Sequence, residues 1–165
     1  MTLSFDVEGP VRAEVFVLAC GEGGVMLTGP DGPRPWHIET HGSGHPMDEA
    51  RDLVARLLPE LMLFHSTSWR WDHGSVVLTF LAVIPEEAVG SMASLPIGRH
   101  DLARSEATRA PAVIDFTQVL EHALRHLAWL AKEDPVVRSE LGTAWHTMLS
   151  DYIPAPFEQL TKETG

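Results

Sequence analysis

The first third of the chain carries apolar residues at strand period. From Val11 to Cys20 they occupy both faces at period two, which predicts a strand in the middle of a sheet. A glycine-rich turn over residues 21–24 and a short apolar run over 25–28 indicate that this strand begins a hairpin. After a loop rich in proline and glycine, a brief edge strand is predicted over 36–39.

Helical period begins near Pro46. Proline is tolerated in the first turn of a helix, and Asp48 and Glu49 suit its positive N-terminus. Apolar residues then follow at helical spacing, and Pro59 should kink this helix or end it at Leu58.

The remaining segments predict one more hairpin and two more helices. Alternation over 64–71 and an apolar run over 76–84 flank the turn signal Asp72-His73-Gly74. Helical stripes span about 115–133 and 136–149. Between the second hairpin and these helices, residues 85–112 show no strong period beyond a short helix at 101–109.

This order predicts an α+β protein that folds as a single domain over residues 1–165. We expect a core over about 11–84 and a helical part over about 115–152. The chain has 165 residues, of which 44% are apolar, which is enough for one packed core.

The chain is acidic, with 23 acidic against 12 basic residues and a net charge of -11. Such a balance argues against a nucleic-acid or anionic membrane partner, since both need clustered lysine and arginine. The longest apolar run falls short of the roughly 18 residues that span a bilayer, and the N-terminus lacks the basic start of a signal peptide. We therefore expect a cytoplasmic protein, and the excess of arginine over lysine is typical of a GC-rich bacterial genome. The single cysteine, Cys20, excludes an internal disulfide and suits a small core residue.

Histidines and tryptophans supply the candidate ligand-binding chemistry. His37, His41 and His45 recur every four residues beside carboxylates, a pattern that fits a metal site or simply a polar loop. His122 and His126 share a face of a predicted helix, where they either border the core or an interface or form a metal-binding pair. The other candidates are three tryptophans that we expect either to stack on a flat ligand near one strand end or to pack in the core: Trp36, Trp69 and Trp71.

A spaced set of residues starts at Gly42. Asp48 follows after five residues, and seven more lead to the run Arg56-Leu57-Leu58-Pro59-Glu60-Leu61. This set resembles a degenerate Nudix box, G-x5-E-x7-R-E-U-x-E-E-x-G-U, in which U is a bulky aliphatic residue. The order of the predicted elements around it is similar too, with Trp36 in the strand before the box. The resemblance covers about half the chain and implies a Nudix-like mixed-sheet α/β/α sandwich with additional C-terminal helices.

The departures from the box concern its metal ligands. In the family, glutamates of the R-E-U-x-E-E segment hold divalent cations that clamp a diphosphate. Two of these positions are Leu57 and Leu61, expected on one helix face, and only Glu60 remains. One carboxylate is a poor cage for magnesium, which needs several oxygen ligands. We therefore expect no hydrolysis and no cofactor.

Three hypotheses follow. The first is a non-catalytic module that binds a nucleotide-like or phosphorylated small molecule through Trp36, His41, His45, Arg56, Trp69 and Trp71. A small anion could also meet Arg34, Arg56 and Arg70. The second is a divergent hydrolase of nucleoside-diphosphate derivatives, in which Glu60 is catalytic and Asp48, Glu49 and Glu60 hold magnesium or manganese, with Glu39 as a further ligand. The third is a structural or interaction protein, with a possible homodimer formed by the C-terminal helices.

Overall fold

Strands and helices account for most of the residues that the computed structural model describes, which are 10–40, 44–58, 60–97, 116–154 and 158–159. The strands are β1 (Val11–Gly21), β2 (Gly24–Thr28), β3 (Trp36–Glu39), β4 (Leu63–Asp72), β5 (Ser75–Val83), β6 (Leu95–Ile97) and β7 (Glu158–Gln159). The helices are α1 (Pro46–Leu57), α2 (Phe116–Glu133) and α3 (Pro135–Leu149), and a 3₁₀ helix covers Glu86–Ala88. The protein is therefore α+β, as the sequence predicts.

The strands form one mixed sheet in the order β6-β2-β1-β5-β4-β7. The first strand is central because it pairs along both of its edges, and it is long enough to take two partners on one of them. β2 pairs with its second half and β3 with its first half, both antiparallel, while β5 runs parallel to it on the other edge. The predicted hairpins β1–β2 and β4–β5 are both present.

Helix α1 packs on one face of the sheet, called the α1 face below. Alternate residues of β1 point to this face, as strand geometry requires. The cluster contains Ala13, Val15, Val17 and Ala19 of β1, Trp36 and Ile38 of β3, Phe80 and Ala82 of β5, and Ala50, Val54 and Leu58 at α1.

Helices α2 and α3 pack on the opposite face. Their apolar residues meet the other set of β1 side chains, Phe16, Leu18 and Cys20. The predicted stripe of α2 is buried in this cluster, with Val119, Leu120, Ala123, Leu124 and Leu127 fully inaccessible to solvent. The stripe is thus used within the chain, and the predicted homodimer would have to form through other surfaces.

The ends of α1 follow the sequence signals. His45 precedes the helix, and its Nδ1 accepts a hydrogen bond of 3.3 Å from the backbone N–H of Met47. The helix ends at Leu57, and the N–H of Leu58 donates to the carbonyl of Val54 at 2.8 Å. This ending agrees with the expected effect of Pro59, which itself lies outside the described residues.

Two expectations from the sequence need correction. Leu57 and Leu61 do not share a helix face, because α1 stops at Leu57 and Leu61 follows in the loop. The aperiodic segment also contains a short strand, β6, which pairs with β2 at the sheet edge. The short helix expected at 101–109 lies outside the described residues. In the described part of the chain no helix is long and apolar enough to cross a membrane.

Candidate functional site

Trp69 and Trp71 stand side by side on the α1 face. In the β4–β5 ladder they pair with Leu78 and Val76, and Leu78 packs in the α1-face cluster. Cross-strand partners share a face, so both indoles project to the side of the sheet that α1 covers. Trp69 is half-buried and Trp71 is 51% exposed. Two residues of one strand lie about 7 Å apart, so these rings can form one aromatic surface.

Arg51 of α1 reaches the same strand farther along. Its guanidinium carbon lies 5.9 Å from the centroid of the Phe64 ring, and Phe64 in turn stacks on Phe80 at 4.9 Å. The Asp48 carboxylate is 4.0 Å from Arg51, with both side chains at least half exposed, so this ion pair is weak and open to exchange. Phe64 and Trp69 pair with Ala82 and Leu78, which are four positions apart on β5, so about 13 Å of strand separates Phe64 from Trp69.

The chain enters α1 from the same end of the sheet as Trp71. The Thr40 hydroxyl, at the end of β3, donates to the Val11 carbonyl at 2.7 Å. Val11 is level with Val76, the partner of Trp71. The exposed His45 follows at the start of α1. His41 belongs to this connection but lies outside the described residues, so its part in binding stays a prediction.

These residues belong to the first turns of α1 and to the α1 face of β4, where they form one candidate binding surface. We name it the α1–β4 groove and define it by Asp48, Arg51, Phe64, Trp69 and Trp71. It combines a pair of indole rings with one guanidinium. Such a set can stack a planar ring and meet an anionic group at a distance from it.

Two predicted ligand residues lie away from this groove. Trp36 shares the α1 face, but it is 7% exposed within the core, and β1 and β5 separate its strand from β4. That separation is about 14 Å across the sheet. Arg56 lies in the last turn of α1, exposed, where its Nε donates to the Asp52 carbonyl at 3.3 Å.

The predicted metal ligands are spread along α1. Asp48 and Glu49 lie in its first turn, and about 12 Å of helix axis separates Glu49 from Leu57. Glu60 follows beyond the helix, exposed, with a φ of 66°. Among the described residues, no three histidine, cysteine or acidic side chains form a group that could hold a metal ion. The structure thus does not bring these three carboxylates together. Glu39 is exposed on β3, as is His37.

The opposite face carries a buried ion pair that was not anticipated. Both guanidinium nitrogens of Arg70 donate to the Glu14 carboxylate, at 2.8 and 3.2 Å. The Thr79 hydroxyl bonds the same carboxylate at 3.3 Å. Glu14 is 3% exposed, and its position as the one acid in an apolar strand was the available signal. Arg70 is therefore neutralised on the far face from α1, and it cannot share an anion with Arg56.

Cys20, His122 and His126 are buried in the packing between the sheet and the C-terminal helices. Burial, reinforced by the Glu86 carboxylate, raises the pKa of the Cys20 thiol, which keeps it protonated and unreactive at neutral pH. His122 and His126 are both buried on the inner side of α2.

Comparisons with known proteins do not assign this chain to a family. A scan against protein-family models finds no match to this chain, and a search of the curated proteins finds none either. The relation to Nudix domains therefore stays a proposal that rests on the box-like spacing.

Proposed function

We propose that this chain is a non-catalytic, Nudix-like domain that binds a nucleotide-like or phosphorylated small molecule in the α1–β4 groove. The observation that carries this proposal is the pair Trp69 and Trp71 on the face that α1 covers, with Arg51 farther along the same strand. A planar ring would stack on the indoles while an anionic group approaches the guanidinium.

The exposure of Trp71 supports a binding role for this pair. A large aromatic ring that is 51% exposed on a strand loses part of the hydrophobic stabilisation that burial would give. Stacking of a base on an aromatic side chain contributes about 1–3 kcal/mol, so a ligand ring would recover that loss. Arg51 adds charge complementarity, because its only ion pair within the described chain is the loose contact with Asp48.

The arrangement of carboxylates supports the absence of hydrolysis. Phosphoryl chemistry with magnesium needs several oxygen ligands at about 2.1 Å from one ion. Here the acidic residues of the box-like segment stand at opposite ends of α1. Leu57, the last residue of α1 and at one glutamate position of the box, is 51% exposed and offers no oxygen ligand. Ligand binding without turnover fits this surface better than the hydrolase alternative does.

The test is a calorimetric titration with nucleoside mono- and diphosphates, the matching nucleosides, and inorganic phosphate. We expect one or more nucleotides to bind, and Trp71→Ala to weaken that binding by about tenfold through the lost stacking. Arg51→Gln should weaken the binding of the phosphorylated ligands and leave the binding of the nucleosides unchanged, because only the phosphate contacts the guanidinium.

Leu57→Ala is the matched control, since Leu57 has the same 51% exposure at the far end of α1. It should bind like the unmodified protein. A panel without any binding, or equal losses in Trp71→Ala and Leu57→Ala, would contradict the proposal.

A further inference from the structure

A cavity of about 290 Å³ lies between the second half of α2 and the C-terminal end of α3. Both helices pack on the face of the sheet opposite α1, so this cavity is separate from the α1–β4 groove. Its volume is at the lower end of the range of about 300–1,000 Å³ for ligand sites, and it therefore suits a small molecule. We call it the α2–α3 cavity and define it by six of its lining residues: Ala128, Ala131, Lys132, His146, Leu149 and Ser150.

The apolar part of the lining consists mainly of small side chains. Ala128 and Ala131 lie three positions apart on α2 and therefore share one side of that helix. Both are 7% exposed, and Leu149 of α3 is 5% exposed. The short alanine side chains leave space between the helices, and an apolar ligand group that enters this space is removed from water.

Lys132 supplies a positive charge to the lining. Its side chain is exposed, and no carboxylate of the described residues lies within ion-pair distance of its ammonium, including those of Glu133 and Asp134. The protein as a whole carries a net charge of -11, so an uncompensated ammonium stands out from the rest of the chain. An ammonium beside an apolar space favours a ligand that combines one anionic group with an apolar group.

Two further polar side chains of the lining are hydrogen-bonded to backbone carbonyls. Nε2 of His146 donates to the carbonyl of Arg138 at 2.8 Å. The Ser150 hydroxyl donates to the carbonyl of Thr147 at 2.7 Å. Lys132 therefore provides the charge by which this cavity would select a ligand.

Two arginines hold the walls of the cavity together. Arg138 of α3 donates to the carbonyls of Ala131, at 2.9 Å, and of Lys132. Arg125 of α2 donates to the carbonyl of Ile153, beyond α3, at 2.9 Å. These bonds tie both ends of α3 to α2, so the cavity is formed before a ligand enters, which lowers the cost of binding. Carbonyl partners are neutral, so both guanidinium groups also keep their positive charge near the cavity.

We propose that the α2–α3 cavity binds a small organic monocarboxylate with a compact apolar group. The apolar group lies against Ala128, Ala131 and Leu149, and the carboxylate pairs with the ammonium of Lys132. This site is independent of the nucleotide binding proposed for the α1–β4 groove.

The test is a titration of the amide resonances of the unmodified protein with benzoate, benzyl alcohol and acetate. Benzoate has both the ring and the carboxylate, whereas each of the other two lacks one of them. We expect benzoate at millimolar concentration to cause saturable shifts in the lining residues of α2 and α3. Benzyl alcohol and acetate should bind several-fold more weakly.

Lys132→Gln tests the role of the charge. We expect it to weaken the binding of benzoate by about fivefold, because an exposed ion pair contributes modestly, and to leave the binding of benzyl alcohol unchanged. Arg56→Gln is the control, since it removes an exposed positive charge from α1 on the other face. A purely structural role of Lys132 at the C-terminal end of α2 would lower the unfolding midpoint without changing the affinity for benzoate.

Ala131→Leu tests the role of the space, because the larger side chain fills the cavity without changing its charge. It should abolish the binding of benzoate, whereas Ala144→Leu, at an exposed position of α3, should bind like the unmodified protein. If Ala131→Leu does not fold, the comparison of Lys132→Gln with Arg56→Gln decides alone. The proposal would be overturned by an absence of saturable shifts in α2 and α3, by equal affinities of Lys132→Gln and Arg56→Gln, or by a folded Ala131→Leu that still binds benzoate.

Discussion

Glu14 shows how one residue sets the polarity of the sheet interior. It interrupts the apolar strand β1 with a carboxylate that is 3% exposed. Arg70 neutralises it through two hydrogen bonds, and its own side chain is 11% exposed. A buried pair of this kind is costly to break, because the remaining charge stays without solvation.

Arg70→Met should therefore destabilise the fold by about 3–5 kcal/mol, since it strands the Glu14 carboxylate in the interior. The double variant Glu14→Leu, Arg70→Met should recover most of this loss, because an apolar pair removes the charge altogether. Urea unfolding of both variants measures the difference. Arg56→Met, at an exposed position, should be close to neutral. Equal free energies of unfolding for Arg70→Met and Arg56→Met would show that the ion pair is not buried as described.

Helix α3 is two helical pieces joined at Gly142. The glycine has φ 76° and ψ 175°, a conformation that side chains other than hydrogen disfavour. The buried residues of the two pieces, Val137, Leu141, Trp145 and Leu149, recur every four residues and so share one face.

Gly142→Ala tests this break through the sign of its effect. We expect a loss of about 1–3 kcal/mol in the free energy of unfolding, because alanine is strained in this backbone region. An uninterrupted helix would instead gain up to about 1 kcal/mol from the same change. Gly23→Ala is the control, since a Cβ there meets nothing within 4 Å. Thermal or urea unfolding that shows Gly142→Ala to be the more stable protein would contradict the break.

Elements with an apolar period or a clear turn signal could be predicted from the sequence, including the short strands β2 and β3, whereas β6 could not. β1 and α2 are long and show a regular pattern of apolar residues, which predicts them. The end of α1 follows from the proline after Leu58. β6 has three residues, two of them exposed, so its pairing with β2 leaves no periodic trace. The break at Gly142 was missed because glycine inside a helical stripe is also tolerated without a kink.

The site depends on the arrangement of the whole molecule, which the sequence pattern does not contain. Trp36, Trp69 and Trp71 were grouped because they were expected to converge near one strand end. The strand order separates Trp36 from the other two, since β5 returns parallel to β1 and lies between them. Arg51 was overlooked because its role comes only from the packing of α1 against Phe64. The sequence thus predicts which residue types could bind a ligand, but it does not predict which of them the fold brings together.

Binding without hydrolysis can be tested directly by ³¹P nuclear magnetic resonance, which detects both binding and turnover in one sample. Protein is incubated with magnesium and a nucleoside diphosphate that binds in the calorimetric panel. We expect shifted or broadened phosphate resonances, which Arg51→Gln loses, and no new resonance over hours. A growing monophosphate signal that Glu60→Gln abolishes would establish the hydrolase instead. Resonances that stay unchanged by the protein would show that the α1–β4 groove does not meet the phosphate.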